Sequence, residues 1–400
     1  MKSATRNHII YFGILVIIIL ILGSIEYYLR SKNIKVDNEP YKISFYTRDG
    51  KLWSPAVYWW TNPNTLKWEI APYTIYKHAP NQKTPYFTTN SKGFRGSKEY
   101  SNFSKKGKRI IVVGGSAAFG HSLSNDNETF QAQMEKLNSR YEVINAGVGG
   151  FYSGQELTYI VTELVDYHPN IIIAFDGFND LFYSWYYDRW ANRILKDSEL
   201  GFHANFLSSM EDSLVYSYQQ QTSVLKSFQR FFNNVMDRSI LLSKIREKIT
   251  KLLRQNYSAR LSNNKISDKN KNEYFEKILD VYTKNLIKMH DFCNSQGIKF
   301  LVVFQPEISL KSKMTVEERN YVNFWQHVWN VDNYLEEYSP LSKRFITRSK
   351  AILTKKGVRF IDINDQPEYK NNPNTLFLDF VHLNKAGNTI IAHIINEHIK

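Results

Sequence analysis

Downstream of residue 105, short apolar β-branched runs alternate with segments whose apolar positions recur at helical spacing. Strands are expected at 109–113, 141–144, 171–175, 298–304 and 358–361. Helices are expected at 129–137 and 282–294, with a second helical stretch over 324–356 and a last helix starting near Lys385. Apolar strands separated by helices predict an α/β fold, a parallel sheet covered on both faces. In such sheets ligands sit at the carboxyl ends of the strands.

The pattern differs upstream. Residues 9–25, "IIYFGILVIIILILGSI", carry no charge except as flanks, and Tyr27 and Tyr28 follow at the place of an interfacial aromatic belt. That length reaches across a hydrocarbon core, so 1–30 is expected to be a single-pass membrane anchor; a cleaved signal peptide is the rival, but the run is long and no A-x-A-like site ends it. Lys2 and Arg6 favour an inside N-terminus, although Arg30, Lys32 and Lys35 weaken the asymmetry. The catalytic region is then expected outside the cytoplasmic membrane. Residues 31–104 form an aromatic-rich stretch with Trp53, Trp59, Trp60 and Trp68 among prolines and asparagines, expected to pack as strands and turns on the main domain, 105–400. "YWW" at 58–60 suits either sugar stacking or plain packing, and packing is the expectation.

Composition narrows the classes. The 400 residues are 42% hydrophobic and 15% aromatic, enough for a large core. A single cysteine, Cys293, excludes an internal disulfide, and no Cys/His cluster has zinc spacing. The net charge of +14 is spread along the chain without a nucleic-acid-binding signature. A basic surface facing anionic lipid or an acidic polymer is the better reading.

Candidate chemistry begins at "GGSAAFGHS", where the first strand ends on small residues. A phosphate loop would need G-x-x-x-x-G-K-[ST], and Gly115–Ser122 has His121 where the lysine belongs. A dinucleotide fingerprint fails on spacing. A nucleophilic Ser116 on a strand-to-helix turn and an ordinary βα turn both remain. A serine nucleophile needs a base and a carboxylate that orients it. "LDFVHLNKAGN" offers Asp379 and His382 three residues apart. Oxyanion donors are available in "NAGVGGFYSGQ", with Asn145, Gly147, Gly149 and Gly150, and in "FDGFNDL", with Gly177, Asn179 and Asp180. Each stretch is also what turn chemistry favours. Four such turns at one sheet edge, each with a different catalytic part, favour acyl transfer.

Together these blocks resemble the SGNH/GDSL hydrolase family of serine esterases and acyl-transfer enzymes. "VVGGSAAFG" resembles the first family block and implies Ser116 as nucleophile and oxyanion N–H. "NAGVGGFYSGQ" places Gly150 at the oxyanion glycine, "GFND" implies Asn179 as amide donor, and "DFVH" implies Asp379 and His382. "TTNSKGFRG" at 88–96 resembles the lead-in of membrane-anchored members associated with cell-envelope polysaccharides. Gly115 departs from the pattern, standing where the GDSL name puts aspartate. The resemblance implies a flavodoxin-like three-layer α/β/α sandwich, a metal-free, cofactor-free mechanism and small acyl esters as substrates.

Residues 181–276 are expected to be an insertion, too long for a plain loop. Its aromatic start, "FYSWYYDRWANR", suits a cap beside the site or ordinary packing, and 244–277 reads as a solvated helix pair. His121 is expected on a helix surface, and His393 and His398 in solvent; Asp180, Gln155 and Gln305 are candidate supporting contacts. The expectation is a membrane-anchored esterase or acyltransferase acting on an acetylated glycan, with envelope polysaccharide machinery as partner and no nucleic acid. The rival is an inactive glycan-binding or assembly subunit.

Overall fold

Five strands end level with one another and place their following turns along one edge. They are β5 (Lys108–Gly114), β6 (Tyr141–Asn145), β7 (Ile171–Asp176), β8 (Lys299–Phe304) and β9 (Arg359–Asp362), all parallel, in the order β6-β5-β7-β8-β9. Gly114 pairs with Phe175, Asp176 with Phe304, and Phe304 with Asp362. The computed structural model describes residues 66–103, 107–191, 268–328 and 334–399, the short strands β1 (Phe45–Tyr46) and β2 (Leu52–Trp53), and Ser24, Tyr27, Tyr28 and Ser31. The chain divides into two units, Met1–Pro40 with His203–Lys265, and Tyr41–Phe202 with Ile266–Lys400. All the described strands lie in the second.

The strands are buried on both faces: every residue of β6 and β7, and all of β5 after Lys108, is inaccessible. Such continuous apolar runs form only where helices cover both sides. From β5 the chain steps outward to β6 and returns past β5 to β7. Right-handed crossovers therefore send the helices to opposite faces. On one face α2 (Phe130–Leu137) packs with α9 (Lys385–Ile399), which the short α8 (Pro367–Lys370) precedes. On the other, α3 (Ser153–Thr162) packs with α5 (Asp268–Ser295), and α5 with α7 (Ser339–Lys355). The order in which strands are added reverses between β5 and β7, the switch point where α/β sheets open a crevice. Two further helices border that edge, α1 (Ser116–Phe119) and α4 (Phe178–Ala191).

The helical stretch expected over 324–356 is two helices, α6 (Val316–Val328) and α7, the latter opened by Pro340 in its first turn. The aromatic N-terminal stretch contributes an antiparallel hairpin, β3 (Trp68–Ala71) and β4 (Ile75–His78). Arg95, also from this stretch, is its main tie to the sheet edge. Its guanidinium donates to Asp126 at 2.8 Å and to the Phe119 and Gly120 carbonyls at 3.2 and 2.8 Å, and lies over the Phe119 ring.

Among the described residues no helix is long and apolar enough to cross a membrane. The run 9–25, apart from Ser24, lies outside the described residues, as do "YWW" and residues 192–267 of the expected insertion.

Candidate active site

Ser116 is the first residue of α1, immediately beyond β5. The sharp strand-to-helix step needs small residues, because a β-carbon on Gly115 would overlap the Asn179 amide. The same step leaves Ser116 half-exposed among buried neighbours. His382 Nε2 lies 2.8 Å from Ser116 Oγ, and His382 Nδ1 lies 2.6 Å from Asp379 Oδ2. Asp379 is fully buried and His382 5% exposed, so the contact between them is shielded from solvent.

The Asp379–His382 spacing works because the aspartate caps its own turn. Asp379 Oδ1 accepts the Val381 and His382 N–H groups at 2.8 and 2.7 Å, leaving Oδ2 for the imidazole. The Leu378 N–H donates to the His382 carbonyl, and Asn384 Oδ1 accepts from Gly387 to start α9. The base is thus held at both ends of a short loop. With Nδ1–H directed at the carboxylate, Nε2 is left as acceptor for the serine proton.

Asn179 stands in the first turn of α4, and its Nδ2 donates to the Phe151 carbonyl at 2.8 Å. That carbonyl follows Gly150, which adopts φ +78° and is part-exposed. Three turns, after β5, β6 and β7, therefore meet within a few ångströms. Asn145, by contrast, is consumed locally: its Oδ1 accepts from Gly147 and its Nδ2 donates to Phe119.

The β3–β4 hairpin clamps the glycine turn from behind. Gly149 donates its N–H to His78 Nε2 at 3.3 Å, and its carbonyl accepts from Tyr76 Oη at 3.3 Å. Gln155 ties the same region to the Thr74 carbonyl at 2.9 Å. Burial, assisted by Arg95, drives His78 down to about 3. Sequence pattern could not reveal this contact, because it joins a hairpin to a turn about seventy residues away.

His121 departs from expectation. The helix stops at Phe119, and Gly120 at φ +87° turns the chain inward, so His121 is 4% exposed. Its ring stacks on His382 with centroids 5.6 Å apart, and His78 lies beyond at 6.2 Å. Burial, then the neighbouring His382, His78 and Arg95, hold His121 well below the ordinary histidine range. A neutral imidazole therefore backs His382. His393 and His398 are exposed, as expected.

On the opposite flank Phe178, Phe182 and Phe380 pack together, with Phe380 against both Trp325 and His382. Phe182 is fully buried, so the described start of "FYSWYYDRWANR" packs against the loop that carries His382. Gln305 is buried, its carbonyl accepting from Asn364. Asp180 accepts from the Ser153 hydroxyl at 2.6 Å and the Ser153 N–H at 3.2 Å.

The chain is similar to GDSL-type esterases of known structure. An acetyl xylan esterase is 13% identical over 73% of this chain and 100% of its own, with a TM-score of 0.37. A GDSL-like lipase from Bacteroides thetaiotaomicron is 13% identical over 74% of this chain and 89% of its own, with a TM-score of 0.36. A lipase/acylhydrolase from Enterococcus faecalis is 12% identical over 73% and 95%, with a TM-score of 0.37. No family model matches the chain, and no curated protein does.

Proposed function

We propose that this chain is a membrane-anchored serine esterase of the SGNH/GDSL type that removes or transfers acyl groups, chiefly acetyl, on an extracytoplasmic glycan. The observation that carries the chemistry is the hydrogen-bonded series Ser116 Oγ, His382 Nε2, His382 Nδ1 and Asp379 Oδ2. His382 takes the Ser116 proton as Oγ attacks the ester carbonyl, and Asp379 stabilises the imidazolium that forms. The Asn179 amide, the Gly150 N–H and the Ser116 N–H receive the oxyanion. Collapse of the tetrahedral intermediate expels the sugar alkoxide, which takes the proton from His382 and leaves an acyl-serine. Water or a second sugar hydroxyl, deprotonated by the same imidazole, then releases the acyl group. No cofactor enters these steps.

The glycan and the membrane rest on sequence. The stretch "TTNSKGFRG" resembles anchored, polysaccharide-associated members, and 9–25 has the length and apolarity of a span. The test uses full-length protein in detergent with a chromogenic acetyl ester and a fluorophosphonate probe. Turnover and labelling that both disappear in Ser116→Ala support the reading. Equal turnover in both proteins, or no labelling of the unsubstituted chain, removes it.

A further inference from the structure

Behind the oxyanion donors lies a group of buried acids that the reaction does not use. Asp176 is the last residue of β7, Asp180 is on α4, and Glu156 is on α3. Glu156 is 0%, Asp176 3% and Asp180 5% exposed. Accounting for their six oxygens separates them. Both Asp180 oxygens accept from Ser153, and Asp176 Oδ1 accepts from Tyr282 on α5 at 2.8 Å. Asp176 Oδ2 and both Glu156 oxygens have no donor from the protein.

Three buried acceptors without a donor would be strongly destabilised, and Glu156 and Asp176, whose side chains are within hydrogen-bonding reach of each other, cannot both hold a charge. One proton removes the charge conflict and leaves a single oxygen, the Glu156 carbonyl, without a donor. On Glu156 it becomes the missing donor, and Asp176 Oδ2 the acceptor. Two carboxyl groups with three open oxygens fall short of the six or more oxygen ligands of a calcium cage. The groups that act on the pair from every packed element are Asp180 and Tyr282, and neither is a cation.

We propose that Glu156 and Asp176 share one proton in a carboxyl–carboxylate hydrogen bond, and that this bond positions the oxyanion donors. This rests on the esterase reading above for its catalytic consequence. Glu156 stands on the helix that follows Gly150 and Phe151, while Asp176 immediately precedes the turn into Asn179. The same two segments are tied by Asn179 to Phe151 and by Asp180 to Ser153. Removing the shared proton would set two negative charges beside Asp180, pressing apart the segments that must converge on the substrate. Burial, then Asp176 and Asp180, push Glu156 well above the ordinary carboxylate range, the direction that favours retention of this proton.

The experiment uses full-length protein in detergent. Because burial pushes Glu307 up to about 8, the readout is the infrared difference between unsubstituted protein and Glu156→Gln at neutral pH, expected to show one protonated-carboxyl stretch that the variant lacks. In turnover of the chromogenic ester, Glu156→Ala is expected to lower kcat about tenfold with KM little changed, through misplaced donors. Glu156→Gln, which restores a neutral donor, is expected to recover most of that loss and to extend activity to higher pH. Absence of this difference band in active protein, or a glutamine variant no better than alanine, overturns the proposal. Should the alanine variant not fold, the spectra and the pH profile of the glutamine variant decide alone. A protein with the band but without esterase turnover or probe labelling keeps the shared proton and loses the esterase reading.

Discussion

Gly115 lies directly against the Asn179 amide: a β-carbon on residue 115 would overlap Asn179 Nδ2 and come within 3.5 Å of the Phe151 carbonyl oxygen. The residue that departs from the GDSL pattern is thus the one that makes room for the amide donor. Gly115→Ala is expected to displace the amide and lower kcat about a hundredfold, the scale of losing one oxyanion donor. Steady-state kinetics check this, with thermal unfolding showing that the fold persists.

Asp379 presents one oxygen to two backbone N–H groups and the other to His382. Asparagine can satisfy only one of these demands with its carbonyl, so its amide group faces either N–H donors or the imidazole. Asp379→Asn is expected to reduce acylation by about three to four orders of magnitude. The rate of fluorophosphonate labelling measures it without a natural substrate.

Arg95 joins the N-terminal stretch to Asp126 and to the carbonyls that end α1. Its side chain is 1% exposed and that of Asp126 27%. Arg95→Met removes the cation paired with Asp126 and one donor each from the Phe119 and Gly120 carbonyls, which keep the longer bonds from Asn145 Nδ2 and the Leu123 N–H. A loss of about 3 kcal/mol in stability is expected, read from urea unfolding.

His78 is driven to about 3 by burial and then Arg95, and His121 is held well below the ordinary value by burial and then His382. Both are neutral when folded, whereas an unfolded chain protonates them below about 6.5. The unfolded state then binds more protons, so stability is complete above that pH and falls as pH drops toward 3. The urea midpoint of His78→Gln is expected to fall less steeply over this acid range than that of the unsubstituted chain.

The five strands were legible because each is a β-branched run buried on both faces, leaving periodicity little ambiguity. Their ends shifted by a residue or so where polar groups join the sheet: Asn145, Asp176 and Asp362 belong to strands because that edge is where polar chemistry is needed. Ser116, Asp379, His382, Gly150 and Asn179 could be nominated because each sits in a turn of small or capping residues. His121 was misplaced because its burial depends on the β3–β4 hairpin, contributed by a distant part of the chain. Glu156 was invisible for a related reason, since an acid on an amphipathic helix reads as surface until its partner from another strand is known.

Asp176 is pushed up to about 7 by burial and then Asp180, Asp180 to about 6 by burial, and Glu156 is held well above the ordinary carboxylate range by burial and then Asp176 and Asp180. In the unfolded chain such groups release their protons at about 4. Between those limits the folded protein holds protons that the unfolded chain has lost, so stability falls as pH rises, by about 1.4 kcal/mol per pH unit for each proton held in excess. This slope opposes that of His78 and His121 over the range from about 4 to 6.5, where the two partly cancel. Above about 6.5 the contribution of these histidines is constant and the raised acids, with Glu307 at about 8 through burial among them, set the slope. Urea unfolding through neutrality is therefore expected to show a falling midpoint in the unsubstituted chain and a flatter one in Glu156→Gln. Parallel curves would mean that Glu156 releases its proton equally in both states.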